Sequence, residues 1–387
     1  MNSSKEFVFK IIYKIAPFLY DLAYKKSIIF ESAPDYADST KAVYEEMVKR
    51  GLDKKYKFVW LLFGEASDAL KISGEVKCMR GWTIKSRFYF YYLSTAKAYI
   101  TCNRHLHKLS PKATFFYISH GNPIKDTSGY YCLPSSADYS VVTSDKSAEL
   151  HEKYGKYPIE KIVPLGFPRN DILTKAGKES RQKIELVLGK YQKYIVWYPT
   201  FRQHKCGNIE SASDDTLPVI HDESLAKQLN ETAKENDVLI ILKPHFVQDV
   251  SYIKDLNLSN IRFIDDSFFV EKDISSYEFV ASCDALLSDY SSIYYDYLLC
   301  DKPIGLIWED IEEYKKKPGL VENYEEYCAG GVKIYNVEEL CQFVENVANG
   351  VDELKEERDR LCDIFNYARD GKNTERVVDF IIEKANL

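Results

Sequence analysis

His120 stands in Ser119-His120-Gly121-Asn122-Pro123-Ile124-Lys125, just after the apolar run Thr114–Ile118. A histidine at a strand tip on a Gly/Pro turn has little bulk beside it, and imidazole titrates near neutral pH. It suits removal of a proton from an attacking hydroxyl. The same placement also suits a plain hydrogen-bonded turn residue. A second group, Leu286-Leu287-Ser288-Asp289-Tyr290-Ser291-Ser292, ends an apolar run in small polar residues ahead of a helix-compatible stretch. Unpaired N–H groups and the helix dipole at such a turn favour phosphate, and the Ser291 and Ser292 hydroxyls add donors. Two serines before a helix also serve as simple caps.

More cations and donors lie at the ends of apolar runs. Thr200 and Arg202 in Tyr198-Pro199-Thr200-Phe201-Arg202 follow one such run, and Lys243-Pro244-His245 follows Val238–Leu242. Arg169, in Gly166-Phe167-Pro168-Arg169-Asn170-Asp171, has the planar fork for a phosphate or for holding a cleft together. The Asn and Asp after it suit a cap on the next helix. Lys125 suits a phosphate or the acceptor, or a solvated surface. Asp289 reads as an organiser of its loop rather than a ligand of an anion. The Asp265-Asp266 pair is weak support for a metal, and no obligatory metal or cofactor is expected. No Gly-x-x-x-x-Gly-Lys-Ser/Thr phosphate loop is present.

The elements that must carry these residues alternate. Strands are expected at Lys26–Glu31, Lys57–Phe63, Ala98–Cys102, Thr114–Ile118, Tyr139–Thr143 and Ile162–Leu165, with helices at Ser39–Arg50, Phe88–Ala96 and Ser144–Tyr154. The charged stretch Lys175–Lys190 is expected to link two domains. Strands then recur at Tyr194–Tyr198, Val238–Leu242, Ile261–Phe263, Ala285–Leu287 and Pro303–Ile307, between helices at Asp222–Asn236, Ser275–Ser282, Ser292–Leu299, Val337–Asn349 and Asp352–Tyr367. Strand and helix in turn imply βαβ units and parallel sheets.

At 387 residues the chain suits two α/β domains. Its net charge of −7 gives no footprint for nucleic acid. The nine cysteines are scattered without a C-x-x-C pair, as in reduced thiols. The 30 tyrosines exceed what a core needs and suit either sugar or headgroup contacts or an AT-rich genome. No run is long and apolar enough to span a bilayer. Phe7–Leu22 reads as a lysine-bearing amphipathic helix broken near Pro17, fit to lie in a membrane interface or to pack on the fold.

The five short motifs around His120, Arg169, Thr200, Lys243 and Ser291, in this order, resemble those of the CDP-glycerol glycerophosphotransferase family of teichoic acid and capsule enzymes. The resemblance runs from about Ser119 to Pro303 and returns near Phe365–Arg376. It implies a GT-B fold: two Rossmann-like domains facing across a cleft, residues 26–175 taking the acceptor and 191–387 the CDP donor, with the C-terminal helices free to pack back on the first domain, after an interface helix at 1–25. It implies His120 as general base, His245 neutralising the breaking pyrophosphate, and Thr200, Arg202, Lys243, Ser291 and Ser292 holding the donor. Lys243 stands where many relatives carry arginine. The expected reaction moves glycerol phosphate from CDP-glycerol to a hydroxyl of a lipid-linked glycan at the cytoplasmic face of the membrane. The chain length favours a primase-like enzyme over a polymerase. The alternatives are a CDP-ribitol transferase, a nucleotide-sugar glycosyltransferase and a non-catalytic membrane-surface protein.

Overall fold

A computed structural model describes residues 11, 14, 15, 18, 27–62, 77–80, 93–102, 108–110, 112–126, 136–175, 178–200, 217–244, 250–316, 319–366 and 368–387. Two wholly parallel sheets organise the chain. The first has strands β1 (Ser27–Glu31), β2 (Lys57–Leu62), β3 (Lys77–Arg80), β4 (Ala96–Cys102), β5 (Thr114–Ile118), β6 (Tyr139–Val142) and β7 (Ile162–Pro164), in the order β3-β2-β1-β4-β5-β6-β7. The second has β8 (Lys193–Trp197), β9 (Val238–Leu242), β10 (Ile261–Phe263), β11 (Ala285–Ser288), β12 (Ile304–Ile307) and β13 (Val332–Ile334), in the order β10-β9-β8-β11-β12-β13.

Each strand order reverses once, between β1 and β4 and between β8 and β11. Neighbouring loops part at such a point, and a crevice opens outside the carboxyl ends of the strands. Register fixes which tips meet there. Ile28 lies opposite Phe58 and Ala98, and Ile195 opposite Ile240 and Ala285.

Period-2 alternation sends apolar residues to both faces. On β8, Tyr194 and Val196 enter one core while Ile195 and Trp197 enter the other. On β4, Ala98 and Ile100 face the opposite way to Ala96 and Tyr99. The helix Asn373–Ala385 returns to the first sheet, where Val377, Val378 and Ile381 are fully buried beside Phe116 and Val141.

Within the described residues the expected strands are present within a residue or two, as are most of the helices; the helix expected from Asp352 begins at Lys355. β3 and β13, short and with little apolar signal, were not expected. The stretch expected as a linker holds a helix, Lys178–Leu188, whose Ile184 and Leu188 are buried in the core of the second half. Of the expected helix Phe88–Ala96, residues 93–95 are helical and 88–92 lie outside the described residues. Most of Phe7–Leu22 also lies outside them. Residues 11, 14, 15 and 18 are helical, with Ile11, Ile15 and Phe18 exposed. Among the described residues, no helix is long and apolar enough to cross a membrane.

Candidate active site

His120 leaves the tip of β5, beside the switch point of the first sheet. Its turn is fastened from behind. Asn122 donates to the Thr143 hydroxyl at 3.0 Å, and Ser147, in the first turn of the helix Asp145–Gly155, donates to the Asn122 carbonyl oxygen. One turn further, the His151 ring donates to the Ser147 carbonyl at 2.8 Å. Burial pushes the His151 imidazole down to about 4, against the opposing pull of the Ser147 and Gly121 carbonyls. His151 is therefore a neutral structural residue. His120 itself presents a side chain that is 63% exposed.

The turn packs directly on the other half of the molecule. A Cβ on Gly121 would stand 2.3 Å from Ser292 Oγ and 2.6 Å from Ser292 Cβ, so only glycine allows this approach. Gly121→Ala is expected to force the His120 turn off Ser292 and lower turnover by at least tenfold. An activity within twofold of the parent would mean that the close approach is dispensable.

Ser292 is the N-cap of the short helix Ile293–Tyr297, yet its side chain makes no capping hydrogen bond. Neither the Ser291 nor the Ser292 hydroxyl takes a hydrogen bond among the described residues. The simple cap reading is thus not what the structure contains. Asp289 acts within its own loop: its carboxylate accepts from Thr200 N at 2.8 and 3.1 Å, from the Thr200 hydroxyl and from Tyr290 N at 2.6 Å. Thr200, expected as a donor ligand, has its hydroxyl hydrogen committed to Asp289. The tips of β8 and β11 are tied together in this way beside the serines. Lys243, at the tip of β9, pairs with Asp266 at 3.0 Å, and Asp266 is 73% exposed. Asp265 caps the helix Asp266–Glu271. Arg202 and His245 lie outside the described residues.

Arg169 is enclosed, with 4% of its side chain exposed, and it reaches both halves. Nη1 donates to the two Asp38 oxygens at 2.9 and 2.8 Å. Nη2 donates to Asp296 at 2.9 Å and to the His120 carbonyl. Asp296, in the helix that follows Ser291 and Ser292, also accepts from Asn170 at 2.9 Å and Tyr277 at 2.6 Å. Between the two roles open to Arg169, its fork is filled by carboxylates. It binds the halves together and leaves no bidentate face for a phosphate.

The rest of that motif continues the joint. Asp171 was expected to cap the next helix. That helix, Asp171–Lys175, instead begins at Asp171 itself. The carboxylate turns away to accept from Asn373 N and Thr374 N at 2.8 and 2.9 Å, capping a helix some 200 residues later. Gly166, at φ 88°, has Asn373 where a Cβ would lie. Lys125 lies in a second seam, with its backbone bridged to Leu320 and its ammonium 5.6 Å from the Tyr314 ring.

Asp38, Asp296 and Tyr277 were not singled out in the sequence. Asp38 opens the helix Asp38–Lys49 that follows β1, at the switch point of the first sheet, and that topological position is the signal that would have found it. Burial would raise its carboxyl, but the Arg169 guanidinium, with His120, holds it well below the usual carboxylate range. Asp38, Cys102 and His120 place ligand atoms within 4.8 Å of one another. A cation there would have to displace Arg169 and deprotonate a Cys102 thiol that burial and Asp38 push well up. The donor set fits a polar network better than a metal centre.

Taken together, the site offers an exposed imidazole, two serine hydroxyls without a hydrogen bond among the described residues, that of Ser292 lying against the imidazole's turn, and a lysine at the tip of β9. That set can deprotonate a hydroxyl and hold an anion beside it. The family model described as CDP-Glycerol:Poly(glycerophosphate) glycerophosphotransferase matches residues 13–383. The chain is 24% identical to a teichoic acid poly(glycerol phosphate) polymerase of Bacillus spizizenii, over 92% of both chains. It is also 24% identical to a teichoic acid ribitol-phosphate polymerase of Staphylococcus aureus, over 97% of this chain and 72% of the relative. Its fold is similar to that of the wall teichoic acid polymerase TagF, with a TM-score of 0.75 and 23% identity over 99% of this chain and 96% of the other. The likeness establishes a GT-B-type architecture.

Proposed function

Because the chain belongs to the CDP-glycerol:poly(glycerophosphate) glycerophosphotransferase family, we propose that it moves glycerol phosphate from CDP-glycerol to a hydroxyl of a lipid-linked glycan and releases CMP. The observation that carries this reading is the contact between the His120 turn and Ser292, which sets a base against an anion-holding turn. His120 Nε2 takes the proton as the acceptor oxygen attacks the phosphorus that bears glycerol. The bond from that phosphorus to the CMP oxygen breaks, and CMP leaves with the electron pair. Such transfers need positioning and charge neutralisation rather than a covalent intermediate. Ser291 and Ser292 donate to the pyrophosphate, and Lys243 swings from Asp266 to the charge that develops on CMP, joined by Arg202 and His245. Residues 26–175 present the acceptor, and residues 191–387 hold the donor.

The ribitol-phosphate relative keeps CDP-ribitol as the second donor in view. Replacing Ser291 and Ser292 together by alanine tests the donor half. Each lost hydrogen bond to a charged group is worth about 1.5–3 kcal/mol, or roughly 10–100-fold in Kd. Calorimetry with CDP-glycerol should show that loss at an unchanged melting temperature. Undiminished affinity would remove the serines from the site.

The acceptor places the enzyme at the cytoplasmic membrane surface. Ile11, Ile15 and Phe18, exposed at helical spacing near Lys14, support an interfacial helix. Flotation on anionic liposomes is expected to weaken with salt, which screens lysine–headgroup attraction over about 10 Å at 0.1 M, and to fall on removal of residues 1–25. Equal flotation without those residues would assign the helix to packing.

A further inference from the structure

Two groups of opposite character meet His120 Nδ1: Asp38 Oδ2 and Arg169 Nη1, each at 3.2 Å. A carboxylate only accepts and a guanidinium only donates, so the two demand different tautomers of the ring. The hydrogens of Arg169 settle the conflict. Nη1 lies closer to both Asp38 oxygens, at 2.9 and 2.8 Å, than to the imidazole, and Nη2 serves Asp296 and the His120 carbonyl. With the guanidinium so occupied, Asp38 is the partner left for Nδ1, and Nδ1 must carry the hydrogen.

We infer that Asp38 is the positioning residue of the base: it holds His120 as the Nδ1–H tautomer, leaves Nε2 as the acceptor atom facing the cleft, and supplies a counter-charge when the ring takes a proton. This rests on the reading of His120 as the base.

Electrostatics and backbone agree. Two carboxylates, Asp38 and Asp296, against one guanidinium leave the cluster one net negative charge behind the ring, with Cys102 and Tyr277 held neutral by burial. A negative charge there stabilises an imidazolium as it forms. Asp38 takes a left-handed backbone, φ 59°, a region that Asp and Asn tolerate better than other side chains. The Ser39 N–H donates to Asp38 Oδ1 at 2.5 Å, and with Arg169 on both oxygens the carboxylate has little freedom to rotate. Only 8% of its side chain is exposed, so water does not compete for Nδ1 from that side.

Asp38→Asn tests this without disturbing the backbone. Arg169 requires an acceptor, so the introduced amide turns its oxygen to the guanidinium and its N–H toward Nδ1, which selects the Nε2–H tautomer. Long-range 15N NMR of histidine-labelled full-length protein reads the tautomer directly, with the His120 signal assigned by its loss in His120→Asn. The parent should show Nδ1–H and Asp38→Asn should show Nε2–H, with kcat lower by roughly 10²–10³-fold and donor KM within twofold. Nε2–H in the parent, or an unchanged tautomer in a folded variant, would overturn the assignment. The parent spectrum decides even where the variant does not fold. Nδ1–H in a protein that releases no CMP would leave the pair standing and remove the base reading instead.

Discussion

Replacing His120 by alanine is expected to lower turnover by roughly 10²–10⁴-fold, the range for loss of a general base. The side chain is the one exposed imidazole on the turn that touches Ser292, and its backbone carbonyl, not its ring, holds Arg169 Nη2. The substitution therefore leaves the joint between the halves in place. Calorimetric affinity for CDP-glycerol should stay within a few-fold of the parent, and the melting temperature should move little. An alanine variant that releases CMP at a near-normal rate with acceptor present would place the base elsewhere.

Arg169→Met should act on the fold before it acts on chemistry. Asp38 and Asp296 have 8% and 1% of their side chains exposed, and both lean on one guanidinium. Removing it leaves two buried carboxylates without their cation. Breaking a buried pair in this way costs about 3–5 kcal/mol, a large share of the stability of an ordinary domain. Tyr277 and Asn170 still donate to Asp296, so the loss falls most heavily on Asp38. Urea denaturation should show the midpoint fall accordingly. A change below about 1 kcal/mol would mean that the two carboxylates find protons or water at little cost, and that Arg169 does not join the halves.

The sequence made the strand tips legible and left their partners hidden. Val238–Leu242 and Thr114–Ile118 are apolar runs that end in turn residues, and such runs announce buried parallel strands. The motif residues follow those tips, so Lys243 and His120 were readable as candidates from one dimension. The stretch Lys175–Lys190 reads as a linker because the two core positions of its helix, Ile184 and Leu188, are outnumbered by charged residues. Pairing across the cleft is a different matter. Asp38 and Arg169 are 131 positions apart, and Asp171 caps a helix 202 positions on. No local pattern records contacts of that span. Tyr277 and Asp296 look like ordinary polar positions of short helices, and only the folded arrangement sets them against Arg169. Thr200 shows the converse: its place just past β8 is legible in the sequence, but that Asp289 takes its hydroxyl hydrogen is not.

Release of CMP tests the central claim most directly. The purified full-length protein is incubated with a lipid-linked glycan acceptor and, in separate reactions, with CDP-glycerol, CDP-ribitol and UDP-sugars, and the freed nucleotide is measured. The account predicts CMP from CDP-glycerol, dependent on acceptor and lost in His120→Ala. CMP from CDP-ribitol alone would move the donor within the same chemistry, whereas UDP released from a UDP-sugar with no CMP from either CDP-alcohol would contradict it.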